Sequence, residues 1–368
     1  MRQSTDVFVI GGGPAGLAAA IAARKRGFDV IVADGAEPPI DKACGEGLMP
    51  DTIKVMNQLG IGVSGLDGFI LDGIRFLDGS ISVKAEFSAG QGMGVRRVTL
   101  HRHLVEQARK AGVTLQWKTS VTGLSDAGVI LAGKTVAARW IIGADGIRSR
   151  VRRWTGLRLS HQGQLRYAFR RHYRVQPWSA YTEVHWGRNA QAYVTPVGRT
   201  DVCVVLISRN PRERYARLEA EFPQLADRLG SWGSAGDERG AVTLSHGLER
   251  VHRGRVALIG DASGSVDAIT GEGLCLSFHQ AAALADALES GDLSSYQAAH
   301  RRLARRPTLM GRLLLLLDSQ ARVRHRGLRA LAAHPELFAR LVSVHVGATS
   351  PGHIAATGAL LGWRLVAA

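Results

Sequence analysis

The sequence predicts an α/β fold. A Rossmann-like strand–helix–strand domain is interrupted by an inserted antiparallel β-sheet and followed by C-terminal helices. Three observations predict it. Gly11, Gly13 and Gly16 follow a short apolar run and open an alanine-rich helical stretch, the spacing of a phosphate-binding turn. Between Leu165 and Ile207 the pattern changes to alternating strands broken by Gly187 and Gly198. From Arg255 a buried strand and then a helix return, and the chain reads as helical to its end.

Taken in order, Asp6 to Ile10 reads as a strand buried on both faces, and Ala15 to Arg26 as a helix that Gly27 ends. In the turn between them, the first glycine permits the bend and the second lets backbone approach a pyrophosphate. The third lets helix pack on strand, and the helix N-terminus with Pro14 and Ala15 would face the diphosphate. Asp29 to Ala33 is a second buried strand. Asp34 ends it, where an acid should hydrogen-bond an adenosine ribose. A second literal G-x-G-x-x-G at Gly60, Gly62 and Gly65 follows a helical stretch but opens no helix, so it is read as a loop. Residues 66–95 read as short strands with glycine turns, His101 to Lys110 as a helix, and Val113 to Trp117 and Ala137 to Ile142 as strands. Tyr167, Phe169, Arg171 and Tyr173 alternate with Ala168, Arg170, His172 and Arg174, and Glu183–Trp186, Ala190–Val197 and Asp201–Ile207 complete the inserted sheet. Residues 211–230 and 273–289 are helical, with Arg255 to Ile259 a buried strand between them.

At 368 residues the chain can bury a large core and hold two lobes. Its mean hydropathy is near zero, and no apolar run reaches the roughly 18 residues of a membrane span; Gly352 to Ala368 comes nearest, interrupted by His353 and Arg364. Residues 7–23 mimic a signal-peptide core, but three spaced glycines and Pro14 suit a phosphate turn better. Cys44, Cys203 and Cys275 lack metal-ligand spacing, so no metal is expected; their number and scatter suggest a reducing, cytoplasmic setting. The net charge is +16, nearly all of it from arginine, with nine arginines between Arg301 and Arg329. A solvated helix face is the leading reading of that cluster. The others are contact with an anionic membrane and attraction to anionic ligands, while nucleic acid is not an expected partner because no binding motif accompanies the charge.

Four segments carry a family resemblance: the fingerprint with Asp34, Arg97-Val98-Thr99-Leu100, Gly143-Ala144-Asp145-Gly146, and Gly260-Asp261-Ala262 followed by Thr270-Gly271-Glu272-Gly273-Leu274. Together they resemble the flavoprotein hydroxylase superfamily typified by para-hydroxybenzoate hydroxylase, and within it the geranylgeranyl reductase branch. The resemblance covers residues 5–290 and implies FAD as cofactor, with NAD(P)H docking transiently because no second nucleotide fold is present. It implies that Arg97 contacts the flavin nucleotide and that Asp145 belongs to a motif serving FAD and NAD(P)H. It also implies that Asp261 takes a ribityl hydroxyl and that backbone around Gly271, Glu272, Gly273 and Leu274 faces the flavin ring. Lys42-Ala43-Cys44-Gly45-Glu46-Gly47 resembles the reductase branch's K-x-C-G-G-G, which lies beside that ring; here Glu46 replaces the middle glycine. Cys44 and Glu46 are thus the candidate catalytic residues, and Lys42, Cys44 and Gly45 join the cofactor set.

On this reading residues 1–75, 95–160 and 250–290 form the FAD-binding domain, 76–94 and 161–249 a substrate-binding domain, and 291–368 a C-terminal helical region. Tyr167, Phe169, His185, Trp186, Tyr193 and Pro196 are the expected pocket residues for an apolar or aromatic substrate. Which of them face inward depends on strand register. NAD(P)H-dependent hydroxylation leads the functional expectations. Reduction of carbon–carbon double bonds in an isoprenoid-like substrate is the alternative, favoured by the K-x-C-G and T-G-E-G segments and by Gly264. A dehydrogenase or cyclase, and a non-catalytic flavoprotein at a membrane surface, remain further options. The tryptophan-rich strand of flavin halogenases is missing, so halogenation is not expected.

Overall fold

The computed structural model describes residues 4–212, 218–230 and 238–349. Its first layer is an eight-stranded sheet. Strands Val256–Leu258, Lys134–Gly143, Ser4–Ile10, Val30–Ala33 and Thr114–Gln116 run parallel through it, and the short strand His252–Arg253 adds antiparallel at the Val256–Leu258 edge. The parallel strands are near-continuous apolar runs because both faces are covered. Val7 and Val9 pack among helices Pro14–Lys25, Arg97–Lys110 and Gly273–Ser290, while Phe8 and Ile10 point to the opposite face. That face is covered by an antiparallel hairpin, Val121–Leu124 and Gly128–Leu131, whose Val121, Val129 and Leu131 are buried. The sequence reading had no strands there, since each has four residues and a single turn separates them.

The second layer is a seven-stranded sheet in the order Arg239–Thr243, Arg166–Tyr173, Val202–Ser208, Ala190–Pro196, Tyr181–Trp186, Gly73–Asp78, Ile81–Glu86. Its pairs are antiparallel except one: Tyr181–Trp186 runs parallel to Gly73–Asp78. The long excursion between those strands makes the parallel pairing possible, whereas a tight turn would forbid it.

Three C-terminal helices, Leu293–Ser319, Ala321–Ala333 and Pro335–His345, pack on one face of this sheet. Leu314, Leu328, Leu331, Phe338 and Val342 meet Ile74, Val83, Ala85, Val184 and Trp186 in one apolar cluster. Between positions 211 and 230 the described elements are helices Leu218–Glu221 and Pro223–Leu229. The remainder of that reading, residues 213–217, and the last nineteen residues of the helical C-terminal reading lie outside the described residues. Among the described residues no helix is long and apolar enough to cross a membrane.

Candidate active site

The glycine turn is built as its spacing requires. Gly11 has φ +114°, and a Cβ there would sit 2.4 Å from the Ala144 carbonyl oxygen. A Cβ on Gly16 would lie 1.9 Å from the Gly11 oxygen, so helix and strand approach as only glycine allows. Gly13 differs: a Cβ there would meet nothing within 4 Å. It borders a cavity of about 380 Å³, also lined by Pro14 and Ala15. Asp34 accepts hydrogen bonds from the Gly12 N–H (2.7 Å) and the Ala36 N–H (2.8 Å), locking the turn to the second strand. His101, which the sequence reading did not single out, donates from Nε2 to the Gly12 carbonyl (2.8 Å) and accepts at Nδ1 from the Ile40 N–H (3.3 Å). Burial lowers its pKa, consistent with a neutral ring.

The second motif closes on the first. Strand Val256–Leu258 delivers Gly260 at φ +60°, its N–H held by Gln280 Oε1 (2.8 Å). A Cβ on Gly260 would touch Ala15, so the two motifs, distant in sequence, are in van der Waals contact. Asp261 emerges into the cavity beside Lys42 and Arg97. Its depth in the molecule raises its carboxyl pKa, against the two cations. Gly271 (φ +67°) and Gly273 bring the N-terminus of helix Gly273–Ser290 to the same wall, where Leu274 also lies.

Two of the expected cofactor residues, Asp145 and Glu272, keep their side chains out of the cavity. Asp145 accepts from Ser149 Oγ and the N–H groups of Arg150 and Val151, so its carboxylate caps the helix Arg150–Trp154 and does not line the cavity. Glu272 turns away as well. It is 3% exposed and pairs with Arg306 (2.9 Å), which also holds Asp51 (2.8 Å). One guanidinium serves two carboxylates, so burial dominates and Glu272 is pushed up to about 8.

The Lys42–Gly47 loop lies between the two sheets, with Lys42, Cys44, Gly45 and Glu46 on the cavity. Glu46 has a left-handed backbone (φ +59°), a conformation that glycine adopts far more readily. Three contacts hold it there: Oε1 accepts from the Arg97 N–H and Arg170 Nη1, both at 2.9 Å, and Oε2 pairs with His172 Nε2 at 2.7 Å. Burial would raise its pKa, but His172, the Arg97 N–H and Arg170 outweigh burial and lower it. Arg170 also binds Asp41 (2.8 Å), tying the loop to the seven-stranded sheet. Glu46 is therefore a clamp on the loop, with both oxygens engaged. Cys44 Sγ accepts from the Glu46 N–H (3.4 Å); among the described residues its thiol hydrogen has no acceptor, and burial pushes its pKa up, keeping it a neutral S–H. Glu46, His172 and Cys203 come within ligand distance of one another, as do Asp51, Cys275 and His279; Arg170 and Arg306 supply the cation in each cluster.

The cavity fits a flavin dinucleotide. Gly13, Gly45, Gly271 and Gly273 each face open space where a side chain would stand, and among the described residues buried Arg97 has no partner at Nε. The chain matches the family described as FAD binding domain over residues 4–292. It belongs to that family. This flavoprotein is an FAD-dependent oxidoreductase. It is 29% identical over 353 residues to the Menaquinone reductase of Mycolicibacterium smegmatis, covering 86% of this chain and 85% of that protein. It is 27% identical over 332 residues to the Digeranylgeranylglycerophospholipid reductase of Methanocella arvoryzae, covering 80% and 81%. A shorter match, 33% over 171 residues, links 42% of this chain to 40% of the Hispidin-3-hydroxylase of Neonothopanus nambi.

The flavoprotein's pocket wall decides the strand register and corrects the expected pocket set. Of the six expected residues only Tyr193 lines the cavity. Ala168, Thr182, Val184, Thr195, Val205 and Ile207 line it from the sheet. Tyr167, Phe169, His185 and Pro196 sit at positions of the opposite parity and point to the other face, as strand alternation demands. Phe169 joins a separate apolar cluster there, and His185 pairs with Glu183. Trp186 shares the parity of Val184 but is buried beyond the cavity, edge-on to Phe76. Met310, Leu313, Leu314 and Leu317 of the C-terminal helices complete the wall. No sequence motif marked them, because their role depends on a helix returning across the sheet.

Proposed function

We propose that this flavoprotein reduces carbon–carbon double bonds in a lipophilic, isoprenoid-like substrate. One observation carries the reading: away from the glycine loops, the cavity is walled mainly by apolar side chains, among them Ile74, Phe76, Val184, Leu314, Leu317 and Phe338, with Thr182, Tyr193 and Thr195 between them. Such a wall recognises length and apolarity and offers few groups to orient a polar ring. The two reductases named above align over four-fifths or more of both chains, whereas the hydroxylase aligns over less than half. Buried, free Cys203 and Cys275 support a reducing, cytoplasmic setting.

In this reading the N–H groups of the Gly11–Gly16 turn hold the diphosphate and Asp34 the adenosine ribose. Asp261 holds the ribityl chain, and the Gly271–Gly273 backbone faces the ring. FAD, reduced by a transiently docked NAD(P)H, supplies the hydride. Cys44 supplies the other half of the reduction: its neutral thiol gives a proton from Sγ to the carbon opposite the hydride. Glu46, Arg170 and His172 keep the loop that carries Cys44 in place. The C-terminal helices exclude water from the substrate chain.

Hydroxylation is a second reading, favoured by the match to the hydroxylase. One experiment separates the two. Protein carrying stoichiometrically reduced flavin is mixed anaerobically with a polyprenyl substrate in detergent, and the product is analysed by mass spectrometry. Gain of two hydrogens without oxygen supports reduction. Turnover only in air, with label from isotopic dioxygen in the product, would establish hydroxylation instead.

A further inference from the structure

We propose that the outer face of helix Leu293–Ser319, continued by helix Ala321–Ala333, docks on an anionic lipid bilayer. The proposal rests on the lipophilic-substrate reading for its purpose, but its observations are independent. Arg302, Arg305, Leu309, Arg312 and Leu316 are all exposed and recur at alternating three- and four-residue spacing, one stripe along the helix. Leu309 is 40% and Leu316 49% exposed. Arg322, Val323, Arg326 and Arg329, also exposed, extend the surface onto the next helix.

The same segment contains two kinds of arginine. Arg306 and Arg324 point inward and are paired, with Asp51 and Glu272 and with Asp78 respectively. Among the described residues no carboxylate pairs with Arg302, Arg305, Arg312, Arg322, Arg326 or Arg329. Asp318, the acid that ends the first helix, is already taken by Arg166 and Arg209. An ordinary solvated helix mixes signs at neighbouring turns. This face carries one sign and adds leucines that water does not favour. A nucleic-acid surface would use the arginines but has no use for the leucines, and no aromatic side chain interleaves them. A bilayer uses both: guanidinium groups bind headgroup phosphates while the leucines enter the acyl boundary. The inward face of the same helix, through Met310, Leu314 and Leu317, walls the cavity. Docking would hold that wall against the phase where a polyprenyl substrate resides.

The test uses the FAD-loaded full chain and substrate-free vesicles, phosphatidylcholine alone or with roughly one-third phosphatidylglycerol. Co-sedimentation with the anionic vesicles, weakening as salt rises, is expected. The triple variant Arg302→Ser, Arg305→Ser, Arg312→Ser should bind them roughly 100-fold more weakly, about fivefold for each charge lost. Leu309→Ser with Leu316→Ser should also weaken binding while leaving the charge intact. Both variants should keep wild-type FAD content and the wild-type melting temperature, which excludes misfolding. Equal binding by wild type and variants, no binding to anionic vesicles, or micromolar binding to duplex DNA at physiological salt would overturn the proposal. Because the vesicles hold no substrate, failure of the reductase reading leaves this outcome unaffected, and the reverse also holds.

Discussion

Gly13 and Gly16 are three residues apart and do different work. Gly16 is filled by the Gly11 carbonyl, whereas Gly13 faces the cavity with ordinary extended backbone (φ −73°, ψ 177°). Gly13→Ala should therefore fold as stably as wild type yet bind FAD far more weakly, because the methyl group would stand in the space proposed for the diphosphate. Gly16→Ala should lower stability with or without FAD. Thermal melts of the apoprotein and flavin titration check both; a Gly13→Ala protein with normal FAD affinity would misplace the diphosphate. Asp261→Ala should weaken FAD binding roughly tenfold to 100-fold, the worth of one charge-assisted hydrogen bond, measured by the same titration. At Cys44 the expected signature is kinetic. Cys44→Ala should slow substrate reduction on the order of 100-fold or more, the usual contribution of a positioned acid, and leave flavin reduction by NAD(P)H unchanged. Stopped-flow traces of the two half-reactions separate these steps.

Helix Gly273–Ser290 carries a titratable group at its N-cap, and this links an element to pH. Glu272 ionises near 8 in the folded protein, well above the ordinary 4.5 of a glutamate. Between those values the folded state keeps a proton that the unfolded chain has released. Raising pH through this window therefore favours unfolding: Glu272's contribution is complete below about 4.5 and is lost as pH passes 8. Buried His300 and His345, each pushed down to about 4, act in the opposite sense up to about pH 6.5, so Tm should fall between about 6.5 and 8, and Glu272→Gln should flatten that part of the profile. A wild-type Tm that does not fall between about pH 6.5 and 8 would show that Arg306 holds Glu272 ionised. The inserted sheet makes the complementary point. Arg166–Tyr173 presents Ala168, Arg170 and His172 toward the site and Tyr167 and Phe169 away from it. A strand with aromatic residues on one parity looks like a pocket wall with that parity inside; here the larger side chains fill a separate core.

In the whole molecule, the loops read as flavin-facing (11–16, 42–47 and 260–274) and the apolar wall (Ile74, Phe76, Val184 and the C-terminal helices) come from different segments of the chain. The wall can thus be altered without touching the FAD-binding residues. Leu317→Trp should leave FAD content unchanged and raise KM for a long polyprenyl substrate about tenfold, by taking up cavity volume, while a short-chain analogue is affected less. Equal effects on long and short substrates would argue that the chain lies elsewhere.

The sequence by itself determined the parts that are local and periodic. Gly11, Gly13, Gly16 and Asp34 form a strand–turn–helix–strand unit whose geometry is set by neighbours in the chain. The same holds for Arg97 at its helix start and for Asp261 at the end of its strand. Only the tertiary structure decided where side chains with two available faces point. Register placed Phe169 and His185 away from the cavity, and the Arg306 guanidinium drew the Glu272 side chain out of the cavity wall. Glu46, read as a catalytic candidate, became a clamp because Arg170 and His172 arrive from a strand more than a hundred residues downstream. A backbone motif is specified by its own φ, ψ and spacing. The work of a charged or aromatic side chain depends on which partner folding brings within about 3 Å of it, and that distance is not a property of the local sequence.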